Sequence, residues 1–188
     1  MKKIILTVAA MFAFGFANAQ EVKFGVKAGL NLSNFTGDVE NNSIKAGFQA
    51  GGLVEIKVSD KFSVQPEVLY SLQGTKIEEE GTDVNFNMSY LNVPVMAKFY
   101  VADGFSLEAG PQIGFLLSAN GKAEGVSIDI KDYFKSTDFS LNVGAGYDVA
   151  ENVNIGARYG FGLSNIAKDS GSEKLHNSNI AIAVAYKF

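Results

Sequence analysis

The sequence predicts an all-β fold, an eight-stranded antiparallel up-and-down transmembrane β-barrel with short periplasmic turns and long extracellular loops. Three observations predict it. Apolar and polar residues alternate along eight segments, short and long connections alternate between these segments, and the strand glycines share one face with the charged side chains. All three are typical of outer-membrane barrels.

The first nineteen residues predict a secretory signal peptide. Lys2 and Lys3 precede an apolar run from Ile4 to Phe16, and Ala17-Asn18-Ala19 then forms a small-residue cleavage site. The run is shorter than the roughly twenty residues that a membrane anchor needs. We therefore expect export, removal of residues 1–19, and one outer-membrane β-barrel domain over residues 20–188 with a formal charge of −6.

Composition excludes several classes of function. The chain has no cysteine, which excludes a disulfide framework, a thiolate metal site and a cysteine nucleophile. Its net negative charge argues against a nucleic-acid partner. The sequence contains no phosphate-binding loop, zinc-ligand spacing or dinucleotide fingerprint. We expect no cofactor and no metal.

Eight segments alternate with a period of two, which is the pattern of strands with one apolar and one polar face. In the first, Phe24, Val26 and Leu30 alternate with polar residues and glycines. About ten strand residues tilted by roughly 40° cross an apolar band of about 25 Å. The predicted strands are residues 22–33, 44–58, 62–73, 86–101, 105–119, 138–150, 153–164 and 178–188.

Connections of two lengths join these segments. The short ones are turns at Ser59-Asp60-Lys61, Ala102-Asp103-Gly104 and Glu151-Asn152. The long ones are polar stretches at residues 34–43, 74–85, 120–137 and 165–177. In an up-and-down barrel this alternation places all short turns at one end and all long loops at the other.

The glycines predict which strand face points inward. Twelve glycines lie in the predicted strands, and eleven of them share the charged face, Gly52 being the exception. Small residues collect where side chains crowd the interior of a narrow barrel. The charged face should therefore line the lumen and the apolar face should contact lipid. A soluble barrel of the lipocalin type, with the opposite orientation, is the alternative.

Aromatic residues agree with this orientation. A C-terminal Phe188 ends a strand with Tyr186 in phase behind it, as in the terminal strands that the outer-membrane insertion machinery recognises. Aromatic residues near the short turns predict an interfacial girdle. Its members are Phe24, Phe62, Phe99, Phe105, Tyr147 and Tyr186.

Four stretches carry a resemblance to a known family. They are residues 90–95 (YLNVPV), 108–117 (EAGPQIGFLL), 138–147 (DFSLNVGAGY) and 157–166 (ARYGFGLSNI). They resemble the PorT-type, "porin family" outer-membrane β-barrel proteins of Bacteroidota. Asn92 departs from the pattern, in which an acidic residue is more usual. The resemblance implies a small outer-membrane barrel; one branch of the family is linked to protein secretion, and most members have no assigned activity.

Six ionisable residues fall at nearly one depth on the predicted lumen face, counted from the nearest short turn or the first strand residue. Because an unpaired charge in a narrow lumen is costly, we expect an interlocked layer of ion pairs, with Gln49, Gln65, Gln112 and Asn142 filling in. Such a layer would plug the barrel; a gated conductance or a small-ligand site is the alternative. The six are Lys27, Glu55, Glu67, Lys98, Glu108 and Arg158.

Pro66, Pro94 and Pro111 lie inside three neighbouring predicted strands. Proline cannot donate a ladder hydrogen bond, and a closed barrel has no edge strand to accommodate it. The prolines predict either single bulges that adjust curvature or a weakened sector that opens laterally for a lipid or a hydrophobic substrate.

Catalytic signals are sparse. His176, the one histidine, is near Asp169, Ser172, Glu173 and Ser178, which is conceivable for a serine–histidine–carboxylate site but is also ordinary loop composition. The acidic run Glu78-Glu79-Glu80, with Asp83, is consistent either with divalent-ion bridging to lipopolysaccharide or with simple solvation.

We therefore expect a non-enzymatic outer-membrane barrel with a plugged polar lumen, acting as a structural or interaction component of the envelope. The alternatives are a narrow porin or small-ligand transport barrel, and a lipid-modifying enzyme. The expected partners are outer-membrane lipid and lipopolysaccharide, the insertion machinery acting through Phe188, and envelope or secretion proteins.

Overall fold

The computed structural model describes residues 21–39, 42–79, 82–123, 126–168 and 174–188. The predicted signal peptide lies outside these residues. The described residues form nine strands and one 3-10 turn at Lys131–Tyr133. The strands are β1 (Glu21–Gly37), β2 (Asn42–Ser59), β3 (Phe62–Glu79), β4 (Thr82–Ala102), β5 (Phe105–Ala123), β6 (Val126–Asp129), β7 (Thr137–Ala150), β8 (Val153–Gly162) and β9 (Leu175–Lys187).

Eight of these strands close into an antiparallel barrel, which confirms the predicted fold class. Each long strand pairs with its neighbours along the chain, β1 pairs with β9, and β5 pairs with both β4 and β7. The ninth strand, β6, is four residues long and pairs with the end of β5 beyond the barrel wall.

The three short turns are confirmed where the alternation predicts them. Two residues each separate β2 from β3, β4 from β5, and β7 from β8. Gly104 has a φ of +70°, a left-handed conformation that glycine adopts without steric cost. We call this the short-turn end of the barrel and the opposite one the long-loop end.

At the long-loop end the strands are longer than the hydropathy pattern predicts, except β8, which ends at Gly162, two residues before the predicted end. The stretch 74–85 is predicted as a loop, yet the pairing of β3 with β4 continues to Glu79 and Thr82. The apolar alternation stops before the hydrogen-bonded ladder does, because the outer face needs apolar residues only where it meets hydrocarbon. Hydropathy alone therefore underestimates the length of these strands.

The orientation of the two strand faces is as predicted. Leu30 and Ile182 are 67% and 54% exposed on the outer wall, whereas Lys27 and Glu108 are 8% and 6% exposed in the interior. This excludes the lipocalin-type alternative, in which the apolar side chains would fill the centre. None of the described residues forms a helix long and apolar enough to cross a membrane.

A small apolar core closes the interior at the long-loop end. Phe35 of β1, Met88 of β4 and Leu116 of β5 point inward there and pack together with Ile166 from the β8–β9 connection. Phe134, which follows the 3-10 turn, packs against this cluster, with its ring centroid 6.4 Å from that of Phe35. We call this group the apolar cap.

Candidate functional site

The centre of the lumen holds an arginine clamped between two glutamates from different strands. Arg158 Nε donates to Glu108 Oε1 at 2.5 Å and its Nη2 donates to Glu108 Oε2 at 3.0 Å. The other side of the guanidinium binds Glu67, with Nη1 to Oε2 at 2.9 Å and Nη2 to Oε1 at 2.7 Å. Lys27 Nζ approaches Glu67 Oε1 at 3.3 Å. The planar guanidinium fork suits two such bidentate contacts.

A second cluster lies nearer the short-turn end. Glu55 Oε2 accepts from Lys98 Nζ at 3.1 Å and from Lys187 Nζ at 3.2 Å. Glu55 Oε1 accepts from the Tyr100 hydroxyl at 2.6 Å. Lys187 also lies 3.3 Å from Asp148 Oδ1. Both lysines thus share one carboxylate, and the second carboxylate balances the additional positive charge.

Gln65 links the two clusters. Its Nε2 donates to Glu67 Oε1 at 2.6 Å, and its Oε1 accepts from Lys98 Nζ at 3.2 Å. The structure therefore brings all six ionisable residues named from the sequence into one network, which we call the ion layer.

The ion layer includes three residues that sequence analysis missed: Tyr100, Asp148 and Lys187. The sequence contains a signal for them, because each directly follows an outward-facing aromatic residue of its strand: Phe99, Tyr147 and Tyr186 respectively. Strict alternation would have placed all three on the lumen face.

Charge is balanced within the ion layer. Lys27, Lys98, Arg158 and Lys187 face Glu55, Glu67, Glu108 and Asp148. Burying a single ion costs several kcal/mol, and here every ion has an opposite charge within hydrogen-bonding distance. The chemistry of the layer is mutual neutralisation.

Amide and hydroxyl side chains fill the lumen on the long-loop side of the ion layer, and we call this group the amide layer. Gln112 donates to Ser140 Oγ and accepts from Asn142 Nδ2, both at 3.1 Å. Asn31 Nδ2 donates to Ser71 Oγ at 2.8 Å. Two cavities of about 20 Å³ each lie among these groups, the first also lined by Gln49. Each has room for about one water molecule.

The amide layer continues up to the apolar cap. Asn177 Nδ2 donates to Asp138 Oδ2 at 2.8 Å and to the Tyr90 hydroxyl at 3.1 Å. The ring of Tyr90 packs in the same buried cluster as Phe35, Met88 and Leu116 of the apolar cap, so Tyr90 joins the two levels. From the short-turn end upward, the lumen is thus occupied by ion pairs, then amides, then apolar side chains.

A vestibule of about 220 Å³ opens at the short-turn end below the ion layer. Glu21, Lys23 and Asp60 line its mouth, and Glu55 and Lys187 lie at its inner end. It ends at paired charges that already satisfy each other.

The three prolines coincide with gaps in three successive strand ladders. Between β2 and β3 the paired residues skip Val54–Glu55 opposite Gln65–Pro66. Between β3 and β4 they skip Glu67–Val68 opposite Val93–Pro94, and between β4 and β5 they skip Val95–Met96 opposite Gly110–Pro111.

The register is the same on both sides of each of these gaps, so no residue is inserted at the prolines. The bulges observed in these ladders lie elsewhere, for example between Ser89 and Tyr90. Bulges at the prolines are therefore the wrong interpretation; the prolines leave positions unpaired because they cannot donate.

Among the described residues, no serine and carboxylate are arranged with His176 as a hydrolytic site. His176 Nδ1 lies 2.9 Å from the carbonyl oxygen of Ser164. The Ser164 hydroxyl donates to Asp138 Oδ1 at 2.7 Å, and the Ser178 hydroxyl pairs with that of Tyr159 at 2.7 Å. Asp169, Ser172 and Glu173 lie outside the described residues.

Among the described residues, no group of three or more His, Asp or Glu side chains is arranged to hold a metal ion. For the acidic run at residues 78–80 and Asp83, the side chains lie outside the described part.

These features define a class of protein: a transmembrane β-barrel with an apolar outer wall and a filled polar lumen. Residues 16–168 match the family described as outer membrane protein beta-barrel domain. The chain belongs to this family, and it is a protein of the bacterial outer membrane.

Solved structures show the same fold. Ail, the attachment invasion locus protein of Yersinia pestis, is 18% identical with a TM-score of 0.56, and the match covers 90% of this chain and 100% of that one. Neisserial surface protein A (NspA) is 16% identical with a TM-score of 0.62, over 90% of this chain and 100% of that one. No curated protein matches the chain.

Proposed function

We propose that this barrel is a non-enzymatic structural or interaction component of the outer membrane and that its lumen is closed. The observation that carries the proposal is the continuous filling of the lumen by the ion layer, the amide side chains and the apolar cap. An eight-stranded barrel has an interior just wide enough for side chains to fill it.

The alternative of a narrow porin needs a hydrated path through these three levels. The cavities within the amide layer, at about 20 Å³, hold about one water each. Each side of Arg158 is occupied by a carboxylate, so a passing ion would have to displace a bidentate contact. Closure is therefore the lower-energy state.

The long-loop end supports an interaction role. β4 has 21 residues and β5 has 19, whereas about ten residues cross the apolar band. The remaining paired residues of these strands extend beyond the membrane, and the apolar cap packs against their inward-facing side. The protein thus presents an ordered projection, which suits contact with other envelope components.

Planar-bilayer recording tests closure directly. The full-length barrel, shown to be folded by its shift in gel mobility on boiling, should give no conductance steps. A large-pore porin inserted in the same chamber serves as the positive control. Regular single-channel steps from the purified barrel would overturn the proposal and favour the porin alternative.

Within the family we propose the PorT-type branch, with envelope or secretion proteins as partners. The support is the set of motifs from Tyr90 to Ile166, which fall on β4, β5, β7 and β8. Deleting the gene should change the proteins found in the culture medium. An unchanged set of secreted proteins, with the barrel absent from the membrane, would contradict a secretion role.

The remaining partners follow from the outer wall and the ends of the chain. Outer-membrane phospholipid and lipopolysaccharide would cover the exposed apolar side chains. Phe188, whose ring lies 5.7 Å from that of Tyr186, would contact the insertion machinery. Deleting Phe188 should lower the folded fraction in cells, and the mass of the exported protein should correspond to a chain that begins at Gln20.

A lipid-modifying enzyme is the remaining alternative. The hydrogen bond of the Ser178 hydroxyl to Tyr159, and that of His176 Nδ1 to the Ser164 carbonyl, weigh against it. We expect His176→Ala to leave lipid A composition unaltered. An altered composition in cells that carry this variant would make the enzyme alternative the better one.

A further inference from the structure

A groove of about 480 Å³ indents the outer wall across β1 to β4. Its volume is within the range of small-ligand sites in proteins. Gly52 is exposed on this wall, and its missing side chain leaves a space in which the nearest atom to an added Cβ is 3.8 Å away. On the outer face the groove is lined by Phe24, Gly52, Val54, Pro66, Val68 and Val93, and the inward-facing Gly25, Leu53 and Glu67 border its base.

The groove coincides with two of the ladder gaps. Val54 and Pro66 are opposite each other in the gap between β2 and β3, and Val68 and Val93 in the gap between β3 and β4. Because paired positions are missing there, the wall is less tightly held at the base of the groove. The shape of the groove therefore depends on Gly52 and on the two prolines in these gaps, Pro66 and Pro94.

The groove is continuous with the apolar wall that faces hydrocarbon. Phe24 and Val68, which line it, are exposed on that wall. Its position is in the half of the barrel nearest the short turns, since Phe24 is three residues from the start of β1 and Pro66 is four residues from the start of β3. In this family's orientation that half lies in the periplasmic leaflet, which is made of phospholipid.

We propose that the groove is a binding site for one acyl chain of a phospholipid from the periplasmic leaflet. A chain lying in the groove makes contacts on several sides, whereas a chain on the flat wall makes them on one, so dispersion favours the groove. Although Glu67 of the ion layer borders the groove, the acyl chain lies on the outer wall, and closure of the lumen neither requires nor excludes its binding.

Gly52 allows a sharp test. An added Cβ there would meet no atom closer than the Gly25 carbonyl oxygen at 3.8 Å, so a side chain can be built into the groove without strain. Gly52→Leu should fill the groove. Ala50→Leu is the matched control, because Ala50 is exposed two residues away on the same face of β2 and lies outside the groove.

Native mass spectrometry provides the readout. Each full-length barrel is placed in nanodiscs of phosphatidylethanolamine and lipid A, transferred to detergent, and weighed with its retained lipid; a shift in gel mobility on boiling verifies folding. We expect one phospholipid on the wild type and on Ala50→Leu, and its loss from Gly52→Leu. Should Gly52→Leu fail to fold, Val68→Phe, which narrows the groove from the opposite wall, takes its place.

Three results would overturn the proposal. They are absence of retained lipid on the wild type, equal retention by Gly52→Leu and Ala50→Leu, and retention of lipid A in place of the phospholipid. None of them bears on bilayer conductance, so failure of this site and failure of the closed-lumen proposal are distinguishable.

Discussion

At the scale of single residues, Arg158 is the organising group of the lumen. It joins Glu67 of β3, which lies across the barrel from β8, to Glu108 of β5, which is two strands from β8. Its guanidinium is buried, so its charge depends on those two carboxylates for solvation. A change at this position therefore leaves a buried negative charge without its partner.

We expect Arg158→Met to lower the free energy of unfolding by about 3–5 kcal/mol, the usual cost of leaving a buried charge unpaired. Denaturant titration of the refolded barrel, with the boiling-sensitive gel band as the measure of folded protein, checks this. Lys23→Ala, which removes an exposed pair with Glu21, should cost less than about 1 kcal/mol.

The double variant Arg158→Met/Glu108→Gln separates charge from packing. It removes one charge of each sign and keeps the pair of Lys27 with Glu67. If the unpaired carboxylate causes the loss of stability in Arg158→Met, the double variant should recover most of the free energy of unfolding. A double variant as unstable as Arg158→Met would show that packing, not charge, is responsible.

Two neighbouring glycines give a second prediction at this scale. A Cβ on Gly51 would overlap the carbonyl oxygen of Val68, whereas one on Gly52 would not come closer than 3.8 Å to any atom. We expect Gly51→Ala to destabilise the barrel by about 3 kcal/mol and Gly52→Ala by less than about 0.5 kcal/mol. The same titration measures both, and equal stabilities would contradict the assigned orientation of β2.

At the scale of strands, the three proline gaps run across the adjacent ladders from β2 to β5. A sector with several missing pairs is a candidate for local opening, since amide protection falls where ladder hydrogen bonds are few. We retain the proposal that this sector opens laterally for a lipid or a hydrophobic substrate.

Pro94→Ala/Pro111→Ala tests that proposal by restoring two backbone donors. We expect amide exchange at Val95, Met96 and Gly110 to slow by about fivefold, the factor that one hydrogen bond of about 1 kcal/mol implies. Hydrogen–deuterium exchange of the barrel in micelles measures it. Ile155 and Val184, in the uninterrupted β8–β9 ladder, serve as reference amides. Unchanged exchange at Val95, Met96 and Gly110 would rule out lateral opening.

The strands also show where sequence analysis succeeds and where it stops. The short-turn ends follow from alternation that runs up to Val58, Val101 and Val149, and they are correct. The long-loop ends are misplaced, because polar residues such as Thr75 and Lys76 continue a ladder outside the hydrocarbon. Hydropathy reports the surroundings of a strand, whereas its length is set by hydrogen bonds.

At the scale of the whole molecule, the two ends of the barrel face different compartments. Asp103 lies in a short turn and Asp132 in the 3-10 turn at the long-loop end, and both are exposed. Because the chain has no cysteine, a single introduced thiol reports on one end alone.

We expect a membrane-impermeant maleimide to label Asp132→Cys in intact cells and Asp103→Cys only after the outer membrane is permeabilised. The family's short-periplasmic-turn orientation is the reason. Wild-type protein, which has no thiol, is the blank. Labelling of Asp103→Cys in intact cells would reverse the orientation, and with it the leaflet assigned to the acyl-chain groove.

The sequence by itself determined the number of strands in the barrel wall, the short turns and the face that lines the lumen, but not the short β6. These are local properties, because each follows from which side chains alternate along a few consecutive residues. The tertiary structure alone decided which buried charges meet. Arg158 and Glu67 are 91 residues apart, and Lys187 and Glu55 are 132 apart, so their contacts depend on closure and register of the whole barrel.

The tertiary structure also decided how the long-loop end is closed. Phe35, Met88 and Leu116 point inward into the apolar cap. Alternation can assign each of them to the lumen face, but only the completed barrel brings side chains from β1, β4 and β5 together at one depth.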